Sequence, residues 1–199
     1  DRDRLPDMVV ETAPQLNAGQ RQAAVTAIRH SISLISGGAG SGKTFTVSAI
    51  TGVYEEQGLR VILAAPTGKA AKRLEQVVGH QAGTIHRLLG FNGKDYARGP
   101  DDPIDADVII VDEVSMVDVP LAWHLFQSID LERTAVVLVG DHNQLPPVGP
   151  GNLLRDLVQS RMVPTVLLDQ VVRQAGILKE NSIAVLHGGW YDDFLAASV

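Results

Sequence analysis

Several short runs along the chain are apolar at nearly every position rather than at every second one. They are Ile32-Ser33-Leu34-Ile35, Arg60-Val61-Ile62-Leu63-Ala64-Ala65, Asp107-Val108-Ile109-Ile110-Val111, Val136-Val137-Leu138-Val139 and the run from Val163 to Leu168. Continuous apolar strands are covered on both faces, which is the pattern of a parallel sheet flanked by helices. Between them lie stretches of helical character. Leu16 to His30 reads as a helix with Asn17 as its N-cap and with Ala24 and Ile28 on its apolar face. A second helix runs to about Glu56 and ends near Gly58, Lys69 to Val77 is a third, and Thr84 to Leu89 is a short fourth. Pro66 stops the second strand, and Phe91 to Ala106, rich in Gly, Asp and Pro, reads as a long exposed loop. The first fifteen residues, with two prolines and alternating charges, read as a leader or linker. After Arg173 the pattern predicts one more helical stretch, with Gly188-Gly189-Trp190-Tyr191 closing it and a tail following over residues 189–199. The predicted class is therefore α/β, one domain over residues 16–188, with a mainly parallel sheet and helices on both faces.

A chain of 199 residues is long enough to bury a substantial core. It contains no cysteine, which removes disulfides and thiolate metal sites and suits a reducing compartment; a cytoplasmic protein is expected. No apolar run approaches the length of a membrane span, so no membrane partner is expected. The opening Asp1-Arg2-Asp3-Arg4 has neither an initiator Met nor a signal-peptide core, which reads as a piece of a longer protein. The net charge of −6 argues against bulk attraction to nucleic acid. The charge is uneven, however. Between Arg60 and Arg98 seven basic residues face two acids, a net +5, so the remainder carries −11. A basic middle in an acidic chain is either a face for an anionic ligand or ordinary solvated surface.

The strand at Ile32–Ile35 leads into Gly37-Gly38-Ala39-Gly40-Ser41-Gly42-Lys43-Thr44, which fits the phosphate-binding pattern G-x-x-x-x-G-K-[ST], and a helix can follow from Phe45. Strand, glycine-rich loop and helix in that order let successive backbone N–H groups curl around a phosphate at the positive end of the new helix. The pattern gives Lys43 the β- and γ-phosphates and Thr44 a Mg²⁺ ion, so ATP with Mg²⁺ is the expected ligand. Asp112-Glu113 closes the third strand. Acids at the carboxyl end of a strand point to the edge where ligands bind. There Asp112 would hold Mg²⁺ and Glu113 would deprotonate the attacking water, although the pair could also simply cap the following helix. The fourth strand ends in Gly140-Asp141-His142-Asn143-Gln144-Leu145-Pro146-Pro147. Gln144 can reach a γ-phosphate from that neighbouring strand end, or belong to a proline-fixed turn. His142 reads as a surface residue, and the six scattered His make no metal-ligand spacing.

Taken together, the phosphate loop, the Asp-Glu pair and Gly-Asp-x-x-Gln-Leu-Pro resemble superfamily 1 DNA helicases. Three further stretches resemble the RecD-like branch, typified by the alpha subunit of exonuclease V: Ala65-Pro66-Thr67-Gly68-Lys69-Ala70-Ala71-Lys72-Arg73-Leu74, Thr84-Ile85-His86-Arg87-Leu88-Leu89-Gly90 and Val148-Gly149-Pro150-Gly151-Asn152-Leu153-Leu154. The resemblance implies a RecA-like P-loop NTPase fold and the first motor domain of a bacterial ATP-dependent helicase that moves 5′ to 3′ on single-stranded DNA in recombination or repair. It implies that Gln20 reads adenine, that Gln144 senses the γ-phosphate and that Arg173 reaches it. It also places Pro66, Thr67, Lys69, Thr84 and His86 in segments that contact single-stranded DNA, within the basic middle. The implied partners are single-stranded DNA, a second RecA-like domain and other recombination or repair subunits. Two departures stand out. Val172 occupies a position where the family commonly has an aromatic residue, and no second RecA-like domain with its arginine finger follows in this sequence. Other readings that share the phosphate loop are the helicase region of a conjugative relaxase, a small-molecule kinase, and a non-motor ATP-binding module that regulates a partner.

Overall fold

In the computed structural model, which describes residues 5–168, the apolar runs form a single sheet of six strands. These are β1 (Ile32–Gly37), β2 (Val61–Ala65), β3 (Ala82–Thr84), β4 (Val108–Val111), β5 (Ala135–Gly140) and β6 (Thr165–Leu168). Every pairing is parallel, and the order across the sheet is β3-β2-β4-β5-β1-β6. The helices are α1 (Leu5–Thr12), α2 (Ala18–Arg29), α3 (Lys43–Glu56), α4 (Gly68–Val78), α5 (Ile85–Leu88), α6 (Val119–Gln127) and α7 (Leu153–Ser160). A short 3₁₀ turn spans Val114–Met116.

The unbroken apolar runs are explained by two separate cores. Side chains alternate across a strand, so Val108 and Ile110 of β4 join one core while Ile109 and Val111 join the other. Along β5, Val137 and Val139 divide from Val136 and Leu138 in the same way. Helices α1 to α4 close the first core, with Ala24, Val47, Ile50 and Leu74 among the buried side chains. Helices α5 to α7 close the second through Ile85, Leu121, Leu125 and Leu154. Each large apolar side chain buried this way contributes about 1.5–3 kcal/mol. The expected α/β fold with helices on both faces is what the structure contains.

Helix α2 begins as expected. The Asn17 side chain accepts from the Gln20 N–H at 2.9 Å, and the Gln20 side chain accepts from the Asn17 N–H at 3.1 Å, a reciprocal capping box. Two elements differ from expectation. The segment read as a leader or linker contains α1, which packs on the core through Val9 and Ala13. Val9 and Ala13 stand four residues apart, an apolar spacing that the surrounding charges obscured. Strand β3, Ala-Gly-Thr, has no apolar signal of its own and exists because it pairs with β2, Ala65 lying opposite Thr84. Arg173, the helical stretch after it and the tail over residues 189–199 lie outside the described residues.

The parallel arrangement brings all carboxyl ends of the strands to one edge. The phosphate loop after β1, Asp112 after β4, Asp141 after β5, Pro66 after β2 and Thr84 closing β3 therefore share that edge. From β1 the chain crosses over β5 and β4 to reach β2, and such crossings open a crevice for ligands.

Candidate active site

Gly37 to Thr44 link β1 to α3. The turn into the helix requires left-handed backbone at Gly40 (φ 78°) and Gly42 (φ 86°), a conformation side chains disfavour. Gly42 caps α3, which leaves the helix's first amides without intrahelical acceptors and aimed at the crevice. Lys43 lies across this loop, its Nζ donating to the Gly37 carbonyl at 2.5 Å and the Gly38 carbonyl at 3.0 Å. Ser41 Oγ is buried without a hydrogen-bond partner among the described residues.

One cleft collects the loop residues Ala39, Gly40, Gly42, Lys43 and Thr44 together with Asp112, Glu113 and Gln144. Asp112 is buried at the end of β4, and its Oδ1 accepts from the Glu113 N–H at 2.9 Å. Burial pushes the Asp112 carboxyl up to about 6; the Glu113 charge adds to the rise, while the hydrogen bond and the Lys43 and Arg73 charges oppose it. Burial also lowers the Lys43 ammonium from its ordinary value, against the pull of Asp141, Glu113 and Asp112. A buried acid and a half-buried base around one small cleft are the electrostatics of a site suited to a charged ligand.

Glu113 sits in the left-handed region at φ 55°, uncommon for a residue with a side chain. Its Oε2 accepts from Gln144 Nε2 at 3.5 Å, and Gln144 Oε1 accepts from Ser115 Oγ at 3.1 Å. The amide of Gln144 is thus oriented from below by Ser115 and aimed at the carboxylate of Glu113. The alternative in which Asp112 and Glu113 cap a helix does not describe this geometry: Glu113 makes no side-chain cap, and α6 is capped by Asp118, whose side chain accepts from the Leu121 N–H at 2.9 Å.

The donor set fits Mg²⁺ held through a nucleotide. Thr44 and Asp112 border the same cleft, and among the described residues no three His, Cys, Asp or Glu side chains cluster to hold a metal alone. Mg²⁺ commonly binds through one or two protein oxygens plus phosphates and waters. A cation there would also return Asp112 to its ionised form.

Gln20 lies beside the loop, with its Nε2 3.5 Å from the Ser41 carbonyl. It is only 3% exposed, and its amide oxygen is engaged in the capping box. The adenine contact expected of Gln20 therefore requires its amide to turn out of these bonds. His142 is exposed as expected, with Nδ1 2.8 Å from Ser36 Oγ. Of the residues expected at DNA, Pro66, Thr67 and Thr84 meet where β2 and β3 end side by side, with Lys69 exposed on the first turn of α4. The hydroxyls of Thr67 and Thr84 cap α4 and α5, accepting from the Ala70 and Arg87 N–H groups. His86 packs on Phe91 and Tyr96 with ring centroids at 5.3 and 6.2 Å.

Three residues to which the sequence reading gave no role stand at the site, Asp141 and Arg73 inside quoted motifs and Ser115 outside them. Asp141 is buried where its charge supports Lys43, Ser115 orients Gln144, and Arg73 borders the cleft from α4. For Asp141 a signal existed, because it follows β5 just as Asp112 follows β4. A larger cleft of about 290 Å³ opens at the opposite edge of the sheet, near Arg29, Tyr54, Asp107 and Glu132, away from the phosphate loop.

Comparison with known proteins agrees with this geometry. The family described as AAA domain matches residues 15–190. The ATP-dependent RecD2 DNA helicase of Deinococcus radiodurans is 43% identical over 159 residues, covering 80% of this chain and 22% of that protein. The RecBCD enzyme subunit RecD of Haemophilus influenzae is 37% identical over 166 residues, covering 70% of this chain and 26% of that protein. The chain thus spans about a quarter of the length of these curated relatives. Among solved structures, the Pif1 helicase from Candida albicans shares the fold with a TM-score of 0.56 at 21% identity, over 78% of this chain and 41% of that one.

Proposed function

The chain belongs to the AAA domain family, in its RecD-like helicase branch, and from that premise we propose that it is the ATP-hydrolysing first motor domain of a helicase moving 5′ to 3′ along single-stranded DNA. The observation that carries this reading is the convergence of Lys43 and Thr44 after β1, Asp112 and Glu113 after β4 and Gln144 after β5 on one cleft. In the proposed mechanism the loop amides hold the β-phosphate, and Lys43 leaves the Gly37 and Gly38 carbonyls for the β- and γ-oxygens. Thr44 and Asp112 would hold Mg²⁺, which would neutralise charge on the phosphates when bound. Glu113 takes the proton of the attacking water, and Gln144 orients that water against the γ-phosphate. Gln20, turned out of its capping box, reads the adenine edge; a side-chain amide can both donate to it and accept from it. Arg173, which lies outside the described residues, is proposed as a further contact to the γ-phosphate on the resemblance alone. The linked Glu113–Gln144–Ser115 set favours turnover over a module that only binds ATP. A second RecA-like domain and other recombination or repair subunits are the proposed partners, in a bacterial cytoplasm. Among the described residues no helix is long and apolar enough to cross a membrane.

Calorimetric titration with Mg²⁺-ATP tests the site. Lys43→Ala is expected to weaken binding by about 100-fold or more, since two charge-assisted hydrogen bonds to the phosphates disappear. Equal affinity of parent and variant would remove Lys43 from the phosphates. The DNA edge is tested separately by fluorescence anisotropy with single-stranded DNA at low salt. Lys69→Glu with Lys72→Glu is expected to weaken binding and to flatten its salt dependence by about 0.7 in log–log slope for each phosphate no longer neutralised. An unchanged slope would move the DNA path elsewhere.

A further inference from the structure

By charge alone Arg73 belongs to the basic middle of the chain, with Lys69 and Lys72. The structure separates it from them. Ala70, Arg73 and Leu74 are spaced i, i+3, i+4 along α4 and together border the nucleotide cleft, whereas Lys69 and Lys72, also exposed, are not among the residues that line it. The Arg73 side chain makes no hydrogen bond or ion pair within the described residues. Even so, it stands close enough to the site for its charge to act on both Lys43 and Asp112. The same cleft holds the phosphate-loop residues with Lys43 and Thr44, and Asp112, Glu113 and Gln144 from two neighbouring strand ends. Arg73 thus lines one cleft with Glu113 and Gln144, the residues to which the proposed function gives the water that attacks the terminal phosphate.

We propose that Arg73 is a further nucleotide-contacting residue that donates to the terminal phosphate of ATP and so distinguishes ATP from ADP. This rests on the reading of the cleft as an ATP site. The chemistry suits the role. A guanidinium stays charged at any physiological pH, presents a planar fork of donors, and has no competing carboxylate partner to release. Arg73 is exposed on a helix surface, so replacing it leaves both cores untouched.

The test titrates the 199-residue chain and its Arg73→Ala and Arg73→Lys variants with Mg²⁺-bound ATPγS and with Mg²⁺-ADP, by calorimetry. Arg73→Ala is expected to lose about 10- to 100-fold in affinity for ATPγS, the worth of one charge-assisted hydrogen bond, with ADP affinity unchanged. Arg73→Lys is expected to recover part of the loss. Equal losses for the two nucleotides, or no loss for either, overturn the contact with the terminal phosphate. A parent chain that binds neither nucleotide overturns the ATP reading itself, and this inference with it. A second arm measures single-stranded DNA binding without nucleotide. Arg73→Ala is expected to bind like the parent while Lys69→Glu binds more weakly. A loss in Arg73→Ala as large as that in Lys69→Glu puts Arg73 on the DNA face and overturns the assignment.

Discussion

Replacing Glu113 by Gln is expected to lower ATP hydrolysis by about 10²- to 10⁴-fold, the usual worth of a positioned general base, while ATP binding stays near the parent value. The carboxylate borders the cleft and has Gln144 Nε2 at 3.5 Å, so its place in the site is set by a partner on a neighbouring strand end. An amide has the same shape and can still accept from Gln144, but it cannot take a proton from water. The substitution is also mild for the fold. The left-handed backbone at Glu113 is as tolerable to Gln as to Glu, and the Glu113 N–H continues to donate to Asp112. Single-turnover hydrolysis with enzyme in excess over labelled ATP reads slow chemistry directly, and a parallel titration checks binding. Hydrolysis at the parent rate would remove Glu113 from the role of base. Loss of binding together with hydrolysis would make it a structural or metal-holding residue instead.

Supplying a second RecA-like domain, joined to the chain or added in trans, is expected to raise DNA-stimulated turnover by about 10³- to 10⁵-fold. Lys43, Asp112, Glu113 and Gln144 all come from strand ends of one sheet, so they form one wall of the cleft. Charge develops on the γ-phosphate during transfer, and a cation brought from a second domain stabilises it only when the two domains close. Arg73 stands on the same body as the rest of the wall and cannot report that closure. The measurement is steady-state ATPase activity with saturating single-stranded DNA, with and without the added domain. Full DNA-stimulated turnover by these 199 residues alone would point to a self-contained ATPase.

Much of the candidate site was legible in one dimension because its patterns are local. The phosphate loop needs eight consecutive residues between a strand and a helix, and the chain supplies all of them contiguously. Asp112 and Glu113 could be placed because they follow an apolar run, and the carboxyl end of a parallel strand has only one edge to face. The parallel sheet itself was written in runs apolar at every position, which only a strand buried on both sides requires. The capping box at Asn17 was half visible, since the cap was expected while Gln20 was assigned to adenine rather than to the helix start.

What the amino-acid sequence determined by itself was thus the class of fold, the phosphate loop and the acids beside it, because each depends on neighbours along the chain. Tertiary structure decided the rest. Strand β3 exists only through its pairing with β2, and α1 joined the domain only because the core offered Val9 a place. Ser115 meets Gln144 across 29 residues, and Ser36 meets His142 across 106, contacts that no local pattern encodes. The division of the basic residues was decided in the same way: the packing of α4 on α3 and the sheet brings Arg73 to the rim of the cleft and leaves Lys69 and Lys72 outside its lining. Charge is a property of composition, but the ligand that feels it depends on which face of a helix the packing of two cores turns outward.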